Sequence, residues 1–579
     1  MSADNPVIVI GGGPAGACVS TLLARMGFPV VLLERERFPR AHVGESLLPG
    51  SIPILESLGV MDEVRKARFT VKPGATMIWG TEREPWSWRF SETHASNPHA
   101  YQVWRPEFDA ILLNNAQRSG VDVREGWQVA RVLFDNDGGA AAVRCRPMDN
   151  ASSHGASAGA SSMDRAADRA TARELSPDDL SPTDGVKAGA FPAEVELQAR
   201  FVVDASGQSG VLSRQLGLRE WDDFFRNLAV YGYYKDGARL PSPDAGNILI
   251  ESQADGWLWH IPLRDGWASV GAVVDAEVGQ RGIREQGTVR FLQSQIAAAP
   301  YLANMLESAE LATEPEVVRD WSYRCRSLHG RGYILVGDAG CFIDPLFSSG
   351  VHLALTYAAL AAVVVASALE DPTIASPAAQ MYEQMYYREY GHFRELARLF
   401  YSSNRTADSY FWEARRLLDD DPALTPRQSF IQLVAGQPSR GYERVALSKG
   451  LLPPAFGNSV AAVESERRRR RAQGLPPNAP LQLAAGARLQ RQPVLEDDRF
   501  VWGVGLVTDA HSEGIPCSAL VSQLLSRLDG QSTASEAIAS LCAAIPPEMA
   551  TQAEQAAMQA LELLYVDGAI TPSLENTEG

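Results

Sequence analysis

Four apolar, mostly β-branched residues in a row, Val7-Ile8-Val9-Ile10, followed at once by Gly11-Gly12-Gly13-Pro14-Ala15-Gly16, predict a buried strand, a tight turn and a helix. A second apolar run, Val31-Leu32-Leu33, ends in Glu34-Arg35 about twenty residues on. Strand, helix, strand in this order predict a parallel βαβ unit. Further along, the pattern predicts a short amphipathic helix from Ile54 to Val64, a strand over Ala75-Thr76-Met77-Ile78-Trp79-Gly80, and a helix opening at Arg105-Pro106-Glu107-Phe108-Asp109. In Gly256-Trp257-Leu258-Trp259-His260-Ile261-Pro262-Leu263 the alternation of a strand puts Trp257 and Trp259 on one face and Leu258 and His260 on the other. Ala354 to Leu369 is apolar but broken by Thr356 and Tyr357, which suits a buried helix better than a membrane span. Tyr382 to Leu417, rich in Tyr, Phe and Arg, reads as helix.

The pattern fails in one place. From Asn136 to Glu194 the chain turns to Ala, Ser, Gly and Asp. Such a stretch lacks the apolar surface to offset its ordering entropy, so a disordered insertion, about 149–190, is expected between two strands of one sheet. Regular structure resumes with Phe201-Val202-Val203-Asp204-Ala205-Ser206-Gly207, whose small residues let backbone approach a ligand.

Composition narrows the partners. The 579 residues exceed the usual domain size several-fold, so two or three domains are expected: a core over 1–374, a helical region over 375–475 covering the substrate side, and a small helical or winged-helix-like domain over 476–579. A net charge of −17 argues against nucleic acid or an anionic membrane as the main partner. Six scattered cysteines without CxxC spacing imply neither a disulfide framework nor a metal site. With no secretion signal ahead of Val7, a cytoplasmic location is expected.

The chemistry begins at the first turn. Gly11, Gly13 and Gly16 stand where a dinucleotide clamp needs a tight turn, close approach to pyrophosphate and helix–strand contact, and Ala15 lies in the helix start aimed at phosphate. Glu34 would accept ribose hydroxyls and repel a 2′-phosphate, favouring FAD or NAD over NADP, and Arg35 follows it at the strand mouth. The early arginine of the third helix, Arg105, is expected to meet a cofactor phosphate or carboxylate bidentately. Gly337-Asp338, ending a strand, can hold a carboxylate against a sugar hydroxyl. No second Gly-x-Gly follows a strand, so a built-in NAD(P)H domain is not expected.

These residues resemble a known family. Gly11-x-Gly13-x-x-Gly16, Gly337-Asp338, Lys72 and above all Trp257-x-Trp259-x-Ile261-Pro262 look like the flavin-dependent halogenases, over roughly residues 1 to 420. Within that family the chain is most similar to the chloramphenicol-biosynthesis type, through Val43-Gly44-Glu45-Ser46-Leu47-Leu48-Pro49-Gly50, Asp320-Trp321-Ser322-Tyr323 and Asp344-Pro345-Leu346-Phe347-Ser348. The resemblance implies the aromatic-hydroxylase type of α/β fold: a Rossmann-like FAD-binding domain interleaved with a mixed or antiparallel substrate sheet. It implies FAD as cofactor, with Glu45, Ser46, Pro345 and Gly350 among its contacts, and a flavin reductase as partner. Chloride or bromide would be oxidised to hypohalous acid, with Ser349 and Gly350 at the halide position, and Lys72 would carry or steer that acid to substrate. Trp257 and Trp259 would keep substrate away from the flavin.

One departure bears on substrate. Where tryptophan halogenases carry a glutamate after the acid-Pro-Leu triplet, this chain has Phe347, so free tryptophan is not the expected substrate. The phenol, pyrrole and acyl branches also lack that glutamate, and often act on substrates tethered to an acyl or peptidyl carrier protein. The alternative reading is a flavin-dependent aromatic monooxygenase, which keeps the clamp and Gly337-Asp338 but gives Lys72 and the tryptophan pair no role.

Overall fold

The structure is a computed structural model, and it describes residues 5–80, 83–93, 97–148, 194–254, 256–402, 425–436, 469–476, 478–496, 498–508 and 511–573. The chain forms two compact units. Among the described residues the first holds 5–366, 382–402 and 425–436, and the second holds 367–381 and 469–573.

The first unit is built on two large sheets. One has six strands in the order His329–Gly330, Tyr333–Leu335, Phe201–Asp204, Val7–Ile10, Val30–Glu34, Asp122–Glu125, all parallel but for the first. Val7–Ile10 sits at its centre, every residue buried, as a continuous apolar run in a parallel sheet requires. The helix Pro14–Arg25 crosses from it to Val30–Glu34, giving the expected βαβ unit. The other sheet is mostly antiparallel, nine strands with Arg219–Lys235, Trp267–Asp275, Gly256–Pro262 and Ile248–Gln253 at its middle. It joins Gly74–Ile78 through the parallel pairing of Ile248 with Ala75. The chain passes repeatedly between the two sheets, the interleaving that the resemblance implied.

Several sequence expectations need adjustment. Ile54 to Val64 is two short helices, Ile52–Ser57 and Met61–Lys66, because Gly59 turns the chain with φ +70° between them. The low-complexity segment starts later than its composition suggested. Ala140–Pro147 is a strand pairing antiparallel with Val195–Gln198, so the segment does link neighbouring strands of one sheet. Residues 149–193 themselves lie outside the described residues. The apolar run begins earlier than expected, as the 22-residue helix Ser349–Glu370; a mean hydropathy of 1.9 would suit a membrane, but 61% of its most apolar 18-residue window is buried in the protein, as in a core helix. The Tyr- and Phe-rich helix begins earlier than Tyr382, as Ala375–Ser402, and 403–417 lie outside the described residues.

The second unit has helices Ala519–Leu525, Ala534–Cys542 and Pro547–Val566. Thr533 and Glu536 form a capping box at the second. Its core gathers Leu481, Leu524, Leu541, Leu561 and Ile570. The three-stranded meander Arg488–Glu496, Arg499–Thr508, His511–Cys517 was not foreseen, because its Gln- and Gly-rich strands carry little apolar alternation.

Candidate active site

A cavity of about 500 Å³ opens where the central strand of the parallel sheet ends, the position at which α/β folds bind ligands. Gly11, with φ +101°, makes the turn, and a Cβ there would stand 2.4 Å from Ala205 O. A Cβ on Gly16 would stand 1.9 Å from Gly11 O, so only glycine lets the helix start this close to the strand. No side chain caps that helix, which leaves its first-turn N–H groups for a ligand.

Of the residues singled out in the sequence, Gly11, Gly13, Ala15, Glu34, Arg35, Glu45, Ser46, Arg105, Trp257, Trp259, Asp338, Pro345 and Gly350 all line this cavity. Gly16 and Gly337 stand behind its wall. Ser349 is buried next to lining Ser348 and Gly350. The Glu34 carboxylate accepts hydrogen bonds from Gly12 N at 2.6 Å and Glu36 N at 2.8 Å, which fixes it at the end of its strand. Burial pushes the Asp338 carboxyl up to about 6, against the pull of Arg105 and Arg219. Burial also raises Glu45, while Tyr233 OH, donating at 2.7 Å, favours its ionised form.

Arg105 corrects the sequence reading. Its fork grips Asp109 at 2.8 and 2.9 Å and its third nitrogen donates to Val43 O at 2.8 Å, so its bidentate partner is a protein carboxylate and its work is to shape the 43–46 loop. The residue that sequence reasoning missed is Arg40. It lines the cavity beside Gly13, 3.3 Å from where a Cβ would sit, and its buried Nε has no hydrogen-bond partner among the described residues. Only its position just ahead of the 43–50 loop marked it. Tyr231, donating to Glu316 at 2.8 Å, was also missed, since alternating tyrosines in a strand look like core.

The residues present fit FAD. Ser46 Oγ is buried, unpartnered among the described residues and on the cavity wall; with Arg40 Nε it leaves donors toward a phosphate-bearing ligand, while Glu34 offers a carboxylate to ribose hydroxyls.

Across the antiparallel sheet stand the tryptophans. Trp257 and Trp259 face the cavity with ring centroids 6.0 Å apart, while Leu258 packs into the core on the opposite face, as the alternation predicted. Lys72 is not on the cavity wall. It ends the strand Thr70–Lys72, only 2% exposed, its Nζ donating to Leu47 O at 2.9 Å and lying 5.6 Å from the Phe90 ring centroid. Leu47 directly follows Ser46 of the wall, so the amine sits one backbone step behind the cavity. Burial pushes its pKa down to about 7. An ordinary strand-mouth lysine would be solvated; this one is a buried amine poised between its charged and neutral forms.

Comparison with known proteins agrees with this geometry. A family model described as tryptophan halogenase matches residues 165–456, and an FAD-binding domain model matches 4–157. A tryptophan 2-halogenase from Chondromyces crocatus is 35% identical over 427 residues, 73% of this chain and 72% of that protein. The chain belongs to the flavin-dependent halogenases. FAD and halide use follow from that membership, and an oxidoreductase activity with them. The solved structure of the myxobacterial chondrochloren halogenase CndH, an FAD-dependent halogenase, is 37% identical and superposes with a TM-score of 0.60 over 75% of this halogenase and 90% of CndH. That of CmlS, a flavin-dependent halogenase, is 26% identical with a TM-score of 0.65 over 98% of this chain and 96% of its own. A 1H-pyrrole-2-carbonyl-[peptidyl-carrier protein] chlorinase from Pseudomonas fluorescens is 28% identical, covering 80% of this halogenase and 94% of the relative.

Proposed function

We propose that this halogenase uses O₂ and chloride or bromide to halogenate an electron-rich aromatic or activated acyl substrate, presented on a carrier protein, in specialised metabolism. The observation that carries the reading is Lys72: a buried amine with its pKa down near 7, one residue behind the flavin cavity wall. FAD, when bound and reduced by a separate flavin reductase, supplies the two electrons that let O₂ oxidise a halide to hypohalous acid. The chain's own residues do the rest. The helix Ser349–Glu370 has no acid in its first turn, so its N-terminal N–H groups, with Gly350 on the cavity wall, favour a halide there. Trp257 and Trp259 cover the sheet side of the cavity and exclude a bulky substrate. Lys72 takes up the halogenating species, either by hydrogen bonding as the ammonium or by forming a haloamine as the free amine.

Phe347 stands where a second acid would assist the lysine on free tryptophan, and it packs instead against Phe400 at 5.2 Å, which supports a substrate other than free tryptophan. The carrier-protein chlorinase among the relatives supports tethering. Six free cysteines suit a cytoplasmic enzyme. The test is mass spectrometry of phenol, pyrrole and acyl substrates, free and carrier-bound, after turnover with a flavin reductase, O₂ and chloride or bromide. A halogen mass shift on a carrier-bound substrate is expected. Hydroxylated product, or no halogenation of any carrier-bound substrate, refutes the reading.

A further inference from the structure

Behind the tryptophan wall four elements converge on the hydroxyl of one half-buried tyrosine. Tyr401, in the last turn of Ala375–Ser402, accepts a hydrogen bond from Trp257 Nε1 at 2.5 Å and donates to Asp344 Oδ2 at 2.6 Å. Asp344 caps the turn Pro345–Phe347, taking Leu346 N on its other oxygen at 3.0 Å. Asn227, on Arg219–Lys235, reaches both the Tyr401 hydroxyl and Asp344 at 3.3 Å. The direction of this chain is forced. An indole N–H only donates, so Tyr401 must receive it, and its own proton must go to an acceptor, which Asp344 supplies. Trp257, 1% exposed, therefore has its ring fixed at the nitrogen end as well as by packing.

The place matters. On one side Trp257, Ile343 and Pro345 are cavity wall. On the other the Tyr401 ring meets Phe225 at 5.4 Å and Trp79 at 6.3 Å, and Trp79 meets Phe400 at 5.6 Å. At this point Trp257 stands between the cavity and the aromatic layer that Tyr401 begins.

We propose that Asp344 and Tyr401 are positioning residues that hold the Trp257 indole shut across this boundary, so that oxidised halide leaves the cavity toward Lys72 and not through the sheet. This rests on the functional reading above for its consequence, but not for its geometry. Without the Tyr401 hydroxyl the indole N–H is left buried and unpartnered, a state that side chains escape by rotating or admitting water.

Two readouts test it. In flavin-free protein, Tyr401→Phe and Asp344→Asn should each shift tryptophan emission, and neither should do so when Trp257 is already Phe. In flavin-loaded enzyme with a reductase, both variants should lose several-fold in halogenated product per O₂ consumed, with hypohalous acid trapped in solution by a scavenger, while O₂ consumption stays within about twofold. An emission change that persists in the Trp257→Phe background, or an unchanged product-to-oxygen ratio, overturns the proposal. If the wild type halogenates nothing, the functional reading fails, and the emission cycle alone decides the positioning claim.

Discussion

Replacing Lys72 with methionine should make the protein more stable and inactive at once. Met keeps the length of the apolar stem and removes the amine. The unfolded lysine binds its proton up to about 10.5, whereas the folded one releases it near 7, so between these values the unfolded chain holds more protons and wild-type stability rises with pH. Holding Lys72 buried at pH 7 thus costs about 4 kcal/mol relative to solvent, and about 2 kcal/mol at pH 9. Against this, Lys72→Met loses the hydrogen bond to Leu47 O and leaves that carbonyl short of a donor, a cost of about 2 kcal/mol. The variant should therefore gain about 2 kcal/mol at pH 7 and be about level with wild type at pH 9. Urea unfolding of flavin-free protein at both pH values measures this, alongside halogenation assays. Two results would refute the reasoning: a Met variant less stable than wild type at pH 7 with no pH-dependent difference, which would mean the amine is compensated by a partner, or a Met variant that still halogenates.

Other outcomes follow from the same site. If a haloamine carries the halogen, product formation in wild type should rise as pH passes upward through about 7, where Lys72 becomes neutral, and Lys72→Arg should be inactive at every pH because guanidinium stays protonated; appreciable Lys72→Arg activity would favour pure hydrogen bonding. Arg40→Ala should weaken FAD binding about tenfold or more at low salt and less at high salt, read by flavin fluorescence titration; salt-independent binding would remove Arg40 from the phosphate. Gly16→Ala should abolish FAD binding, because its Cβ would press on Gly11 O, and retained affinity in titration would show that the turn can yield. Purified protein should not oxidise NADPH without an added reductase, and rapid turnover alone would reinstate the hydroxylase reading.

The clamp was legible because its requirements are local. Gly11, Gly13 and Gly16 answer steric demands between residues a few positions apart, and Glu34 ends a strand whose apolar run announces its own place in a parallel sheet. The tryptophan pair was legible for a similar reason, since strand alternation alone puts Trp257 and Trp259 on one face. Arg105 shows where such reading stops. A basic residue at a helix start looks ready for a phosphate, but Asp109 lies one turn along the same helix and takes the fork in a pocket only the folded loop closes. Lys72 drew notice only by resemblance, because nothing in its neighbours distinguishes a solvated lysine from a buried one. Its lowered pKa comes from desolvation by the elements packed around it, which the sequence does not set beside it. The link from Trp257 through Tyr401 to Asp344 joins residues 144 and 57 positions apart in the chain, and nothing in the sequence connects them until the strand and the long helix bring them to one hydroxyl. Backbone geometry and strand period act over a few residues and are written in the chain itself; desolvation and the direction of a buried hydrogen-bond relay depend on what packs from elsewhere, and that only the tertiary structure decides.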